Sequence, residues 1–357
     1  MDLVPFINKA INWKIGLIGF GNVGKAFIKL YSRLRSYWHR QYGINASFHF
    51  VLNSKGGIYN KNGLDIDVLT KYAERGKINE MKGWKDKLSF EEVFEQSRQY
   101  INLLVEVSPT NIKDGEPALS YIATALGNRI SVVTGNKGPF LFKHNELAAL
   151  AKKNNLLLGI GCTTAAALPT INFGIIDLAG CNIYKIEGIL NGVCNFILTQ
   201  MDEQAITLDY ALNKAISMGI SETNPSYDID GWDTAVKTII IANALMNASL
   251  TLNNIYVEGI RTINEEIISA ARKQNKRIKL IGYAFRKDNG IEAGVKLKQV
   301  DKSNPLYNIR GTNKALLYAT EPAGEFIITG GASSPEGAAY SLWRDILNYK
   351  SLMNKLY

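Results

Sequence analysis

The chain is poor in the residues that build covalent and metal frameworks. Its 357 residues include three cysteines, Cys162, Cys181 and Cys194, and three histidines, His39, His49 and His144. An odd, scattered set of thiols argues against a disulfide scaffold, and neither residue type recurs at the spacing of a metal cluster. Nine prolines in a composition that is 46% hydrophobic describe an ordered globular protein, not a linker-rich one. No apolar run approaches the roughly 20 residues of a membrane-spanning helix, TIIIANALM being among the longest. The opening MDLVPFINKAINWK lacks the basic start and unbroken apolar core of a signal peptide. These absences set the expectation of a cytoplasmic, metal-independent protein with no membrane span.

Charge leans basic, with 41 Lys+Arg against 32 Asp+Glu and a net charge of +9. That balance admits an anionic partner. The segment KAFIKLYSRLRSYWHRQY (Lys25–Tyr42) mixes cations and aromatics as nucleic-acid binders do. Its cations at 25, 29, 33, 35 and 40 fit better as the wet side of an amphipathic helix, with Phe27, Leu30, Tyr31 and Leu34 inward. No recognisable nucleic-acid module accompanies it, so no nucleic-acid partner is expected. The chain is long for one hydrophobic core, and two domains are expected. The small-residue stretch GCTTAAALPT (Gly161–Thr170) reads as the hinge between domains at 1–160 and 161–335, with a closing helix at 336–357 returning to the first.

In the first domain, Ile15, Leu17, Ile18 and Phe20 form a short apolar strand running into Gly19-x-Gly21-x-x-Gly24, after which Lys25–Arg35 reads as a helix. Strand, glycine turn and helix in that order are the context a dinucleotide pyrophosphate requires. One glycine makes the turn, one lets backbone approach phosphate, one lets helix pack on strand, and the helix N-terminus favours the anion. Cofactor contacts are therefore expected from Gly19, Phe20, Gly21, Asn22, Val23 and Gly24. The same residues fit G-x-x-x-x-G-K, but Ala26 stands where a nucleotide triphosphatase needs Ser or Thr for magnesium. A second strand, Ser47–Leu52, ends at Asn53, Ser54 and Lys55 with no acidic residue to bind a free ribose hydroxyl. Ser108, after strand Tyr100–Val107, and Asn136 and Lys137, after strand Arg129–Thr134, lie at the ligand edge of such a sheet.

Beyond the hinge, strands at Asn182–Leu190, Arg277–Phe285 and Ile291–Gln299 alternate with helices at Asn195–Gln204, Thr207–Met218, Trp232–Met246 and Asn264–Gln274. The expected fold is thus α/β, a Rossmann-type dinucleotide-binding domain followed by an α+β substrate domain with a mixed sheet. Asn195 reads as the N-cap of its helix. The densest chemistry is GISETNPSYDIDGWDTAVKTIIIANALM (Gly219–Met246), which sets Glu222, Asp228, Asp230, Asp233 and Lys237 beside an apolar helix. Asp233 and Lys237 are i and i+4, neighbours on one face. An isolated pair of this kind is usually a weak surface ion pair. A lysine opening a helix apolar enough to be buried is costly unless paired, which favours a working site.

These stretches in this order, IGFGNVG, VVTGNKGP, NGVCNFILTQM, GISETNPSYDIDGWDTAVK and NPLYNIRGTNKAL, resemble the homoserine dehydrogenase family over nearly the whole chain. The resemblance is to the short monofunctional form, so no appended regulatory or kinase domain is expected. The resemblance implies reversible NAD(P)-dependent interconversion of L-homoserine and L-aspartate 4-semialdehyde on the route to threonine and methionine. It also implies a homodimer built through the second domain's sheet. Lys237 matches the proton donor and acceptor, Lys137 the second active-site lysine, Glu222 the residue holding the substrate ammonium, and Asp228 and Asp233 its polar neighbours. The absence of a repelling carboxylate beside Asn53, Ser54 and Lys55 leads to the expectation of NADP(H) over NAD(H), with both accepted.

Two stretches depart from the family pattern. Gly161-Cys162-Thr163-Thr164-Ala165 replaces an acidic E-A-T-V-G sequence near which the family holds a monovalent cation, largely through backbone oxygens, so a cation site near Cys162, Thr164 and Ala165 is an open expectation. NGVCN replaces N-G-T-T-N, losing two hydroxyls. A catalytically silent dinucleotide sensor is the alternative reading, and joint retention of Lys137 and Lys237 argues against it.

Overall fold

A computed structural model describes residues 11–331 and 333–353, with side chains through Tyr349. The last turn expected for the closing helix and most of the N-terminal stretch lie outside the described residues. Within them the chain divides into two compact units. The first comprises residues 11–139, 145–162 and 334–353; the second comprises 140–144 and 163–333.

Seven strands build the sheet of the first unit: β1 (Ile11–Ile18), β2 (Ile44–Asn53), β3 (Gly56–Leu64), β4 (Lys85–Asp86), β5 (Leu103–Glu106), β6 (Ser131–Thr134) and β7 (Leu158–Gly159). Their order is β4-β3-β2-β1-β5-β6-β7. Strands β2, β1, β5, β6 and β7 run parallel, and β3 and β4 add antiparallel at one edge. The order reverses at β1, where β2 and β5 leave on opposite sides. In doubly wound sheets that reversal marks where ligands bind. Strands β3 and β4 were not expected from the sequence. GGIYNKNGL has little strand propensity of its own, and its pairing with β2 through a tight turn is what makes it a strand.

Helices α1 (Asn22–Tyr42), α2 (Ile66–Arg75), α3 (Phe90–Ser97) and α4 (Ala118–Gly127) belong to this unit. Short helices α5 (Gly138–Phe142), α6 (His144–Lys153) and α7 (Cys162–Ala165) follow in the chain, then α8 (Thr170–Asn172). α1 runs about two turns past the expected Arg35, to an αL cap at Gly43. Phe27 and Tyr31 on its inner face stack on Trp343, with ring centroids 4.4 and 5.0 Å apart. The indole Nε1 of Trp343 donates to the Phe27 carbonyl at 3.1 Å. Each such aromatic pair contributes about 0.5–1.5 kcal/mol beyond its buried area. A far C-terminal segment thereby closes the core of the first unit.

The second unit holds β8 (Asn182–Ile189), β9 (Tyr256–Val257), β10 (Arg277–Lys287), β11 (Gly290–Val300), β12 (Lys314–Glu321) and β13 (Gly324–Gly330), in the order β13-β12-β8-β10-β11-β9. The sheet is mixed: only β9 pairs parallel, to β11. The hairpin β12–β13 was absent from the sequence expectation, which ended with Ile291–Gln299. Helices α9 (Gly192–Gln204), α10 (Leu208–Ser217), α11 (Ser226–Ile229), α12 (Trp232–Met246) and α13 (Glu265–Lys273) complete the unit. α12 packs against β8, β10 and β11. Ala235, Val236, Ile239, Ile240 and Ala242 are all fully buried along it. The last helix, α14 (Pro335–Met353), carries Trp343 back to the first unit.

Candidate functional site

The glycine turn of the first unit has the shape an anion needs. Gly19 sits at φ +99°, and a Cβ there would meet the Val107 carbonyl oxygen at 2.4 Å. A Cβ on Gly24 would fall 2.0 Å from the Gly19 oxygen, whereas one on Gly21 would enter open space. Gly21 caps α1 with no side-chain hydrogen bond, and the first turn of α1 carries no acid. The leading N–H groups of α1 are thus uncovered by side chains, beside a glycine that leaves room for a phosphate. Phe20 is buried, Asn22 is exposed and Val23 is half-buried. Asn53, Ser54 and Lys55 form the β2–β3 turn, where the Asn53 Oδ1 accepts from the Lys55 backbone N–H at 2.8 Å. The Ser54 and Lys55 side chains are exposed.

The tips of β5 and β6 are tied together by Glu106, which is not among the expected site residues. Glu106, at the end of β5, is completely buried. Its Oε1 accepts from the Ser108 backbone N–H at 2.9 Å and from the Ser108 hydroxyl, and its Oε2 accepts from Thr134 Oγ1 at 2.9 Å. Burial pushes the Glu106 carboxyl upward, against the hydrogen bonds from Ser108, Thr134 and Asn136. Asn136, also completely buried, donates through Nδ2 to the carbonyls of Ser108 and Pro109 at 3.3 Å, and its Oδ1 accepts from Gly138 at 3.1 Å. An acid inside the apolar run LLVEV was the signal available in the sequence. Lys137 follows half-buried, its backbone N–H 3.5 Å from Thr110 Oγ1.

In the second unit, the N-terminal turn of α12 meets the start of α9. Asp233 is buried and Lys237 lies one turn on, with side-chain exposures of 8% and 14%. Lys237 Nζ donates to Asp233 Oδ2 at 2.5 Å and to the Leu190 carbonyl at 2.9 Å. An ammonium has three N–H donors, so these bonds use two. Asn191 Nδ2 donates to the same Asp233 oxygen at 2.9 Å and to Asp228 Oδ1 at 2.6 Å. Asn191 is also the N-cap of α9, its Oδ1 accepting from the Cys194 N–H at 2.9 Å. The helix thus begins at Gly192, and the cap expected at Asn195 is displaced by one turn. Asn195 instead donates to the carbonyls of Gly311 and Asn313 at 3.0 and 3.1 Å.

Asn191, Asp228, Asp233, Lys237, Thr312 and Ser333 contribute to the wall of a cavity of about 390 Å³. The wall thus presents two carboxylates and one lysine, and a carboxylate is the group that a ligand ammonium needs. Cys194 is fully buried beneath it, its Sγ donating to the Asp228 carbonyl at 3.2 Å. Burial, then the Asp228 and Asp233 carboxylates, push this thiol well above its ordinary range, which keeps it protonated and unreactive. Glu222 is exposed and stands outside that cavity wall.

The small-residue loop expected to hold a cation contains Thr164, whose hydroxyl lies 2.6 Å from that of Thr170. The Ala165 carbonyl accepts from the ammonium of Lys314 at 2.9 Å. Among the described residues no group of three or more His, Cys, Asp and Glu is placed to hold a metal ion.

A doubly wound sheet with a glycine turn and an acid-free helix N-terminus fits a dinucleotide, and the buried acid–lysine pair of the second unit is a group able to move a proton; together they suit a nicotinamide-dinucleotide oxidoreductase. A family profile described as homoserine dehydrogenase matches residues 169–347. The homoserine dehydrogenase of Methanocaldococcus jannaschii is 32% identical over 93% of this chain and 97% of its own. An NAD(+)-dependent homoserine dehydrogenase of Pseudomonas canavaninivorans is likewise 32% identical, over 94% of this chain and 96% of its own. A crystal structure of a putative homoserine dehydrogenase from Archaeoglobus fulgidus superposes with TM-score 0.83 at 29% identity, over 94% of this chain and 98% of that one. A hyperthermophilic archaeal homoserine dehydrogenase mutant in complex with NADPH superposes with TM-score 0.80 at 28% identity, over 96% and 98%. The chain belongs to the homoserine dehydrogenase family.

Proposed function

We propose that the protein interconverts L-homoserine and L-aspartate 4-semialdehyde with a nicotinamide dinucleotide, as a step toward threonine and methionine. The observation that carries the residue assignment is the Asp233–Lys237–Asn191 cluster on a cavity wall that also carries the Asp228 carboxylate.

Gly19, Phe20, Gly21, Asn22, Val23 and Gly24 would hold the pyrophosphate, and Asn53, Ser54 and Lys55 the adenosine ribose. Ser108, Asn136 and Lys137 would flank the nicotinamide end. Glu106 keeps Ser108 and Asn136 in place from below. The bound cofactor supplies the hydride acceptor or donor. Lys237 moves the proton: as ammonium it protonates the oxygen of the aldehyde being reduced, and as neutral amine it takes the hydroxyl proton of homoserine. Negative charge builds on that oxygen during reduction, and a fixed cation stabilises it. Asp233 and the Leu190 carbonyl aim the Lys237 Nζ. Asp228 and Glu222 would take the substrate ammonium, and Asp228 is the one on the cavity wall.

NADP(H) is the preferred cofactor in this reading, because the β2–β3 turn offers Lys55 and no acid to repel a 2′-phosphate. The protein would work in the cytoplasm as a homodimer joined through the second sheet, whose β13 is an edge strand with Ile327 exposed. Among the described residues no helix is long and apolar enough to cross a membrane. A silent dinucleotide sensor gains no support from relatives that are all named as dehydrogenases. The reductive direction tests the proposal: NADPH oxidation should require L-aspartate 4-semialdehyde and yield L-homoserine. Absence of that oxidation with NADPH and with NADH would refute it.

A further inference from the structure

Lys314 is among the largest fully buried side chains, with 1% of its surface exposed. A buried ammonium is costly unless its donors are met. Here they go to the Ala165 carbonyl at 2.9 Å and to Ser333 Oγ at 3.0 Å. Four residues along the same face of β12, the Tyr318 hydroxyl donates to the Thr170 carbonyl at 2.6 Å. One strand face thus grips the Ala165–Thr170 segment at both ends. Ser333, which Lys314 holds, and Thr312, two residues before it, both belong to the wall of the candidate substrate cavity.

The resemblance led to the expectation of a monovalent cation at this loop, and the residues present do not fit one. The Ala165 carbonyl, a backbone oxygen of the kind such an ion would use, already faces an ammonium, the Thr164 hydroxyl is engaged with Thr170, and Gly161 adds no carboxylate to offset the charge. A metal cation on that oxygen would lie against the positive charge of the Lys314 ammonium already bonded to it. We propose that the Lys314 ammonium takes the place of a monovalent metal ion at this loop, positioning it and Ser333 so that the protein needs neither sodium nor potassium. Lys314 is a positioning residue, and only the activity arm of its test rests on the homoserine dehydrogenase reading.

The full-length chain, exchanged into tetramethylammonium chloride, is titrated with NaCl or KCl at constant ionic strength while Tm and kcat/KM are followed. The wild type should show no saturable rise in either. Lys314→Ala should lose about tenfold or more in kcat/KM and fall in Tm, and regain both saturably with potassium or sodium but not with tetramethylammonium, as a ligand-linked native state does. Lys314→Arg, which keeps the charge, should stay cation-independent. A saturable gain in wild-type Tm or kcat/KM with either metal ion overturns the proposal, as does a Lys314→Met variant as stable and active as wild type. Should the variants fail to fold, the wild-type titration still decides. Should the wild type lack dehydrogenase activity, the function fails while the Tm titration still judges Lys314.

Discussion

Asp233 Oδ2 accepts hydrogen bonds from Lys237 Nζ at 2.5 Å and from Asn191 Nδ2 at 2.9 Å, so one buried carboxylate oxygen aligns a lysine from its own helix and an amide from the start of another. A lysine held this way has a fixed direction, as a proton-transfer group requires. Lys237→Ala should lower kcat by about 10²–10⁴-fold while leaving cofactor affinity nearly intact, because the glycine turn lies in the other unit. The check is steady-state kinetics beside nicotinamide binding by fluorescence. Retention of more than about a third of wild-type turnover would remove Lys237 from the chemistry.

Asp228 and Glu222 offer a choice of partner for the substrate ammonium. The first is on the cavity wall and bonded to Asn191; the second is exposed. A carboxylate paired with the ammonium acts alike in ground and transition states, so its loss falls mainly on KM. Glu222→Gln and Asp228→Asn should both raise KM for homoserine, and Asp228→Asn should do so more. A kcat fallen about a hundredfold at unchanged KM would place either residue in the chemistry instead.

Much of this site was legible because its signals are local. The glycine turn is read from a strand and a helix on either side of it, and Asp233 and Lys237 meet because residues four apart on a helix must. Their burial followed from the apolar body of α12. What escaped is set by partners distant in sequence. GGIYNKNGL is a strand because β2 pairs with it, and KALLYATE is one because β8 and β13 pair with it. Lys314 is buried because Ala165 and Ser333 receive its ammonium. The cap of α9 is Asn191 and not Asn195 because Asn195 is occupied by the Gly311–Asn313 backbone.

Cofactor choice turns on the β2–β3 hairpin tip. An exposed cation–phosphate contact there contributes about 1 kcal/mol, under tenfold in affinity. The wild type should therefore favour NADP+ over NAD+ modestly in kcat/KM at one ionic strength, and Lys55→Ala should reduce that preference. A clear NAD+ preference, or no change in the variant, would show that Lys55 does not read the 2′-phosphate.

Lys279 should leave a mark on stability at alkaline pH. It is buried, donating to Asn195 Oδ1 at 3.0 Å and to the Ile309 carbonyl. Burial, then the Arg277 charge, pushes its ammonium down to about 8. The unfolded chain holds the same proton up to about 10.4, so between these values the unfolded state binds more protons and stability rises with pH. Relative to Lys279→Met, wild-type unfolding free energy should increase from pH 8 to 10, by at most about 3 kcal/mol. Denaturant midpoints for the two proteins at both pH values measure this, and a constant difference would contradict it.

The central claim is tested most directly in the oxidative direction. Purified protein is mixed with L-homoserine and NADP+ or NAD+, and nicotinamide reduction is followed by absorbance while the carbonyl product is trapped. The account predicts reduced cofactor formed in step with L-aspartate 4-semialdehyde, and none when L-homoserine is omitted. No reduction with either cofactor, or the same reduction without L-homoserine, would contradict it.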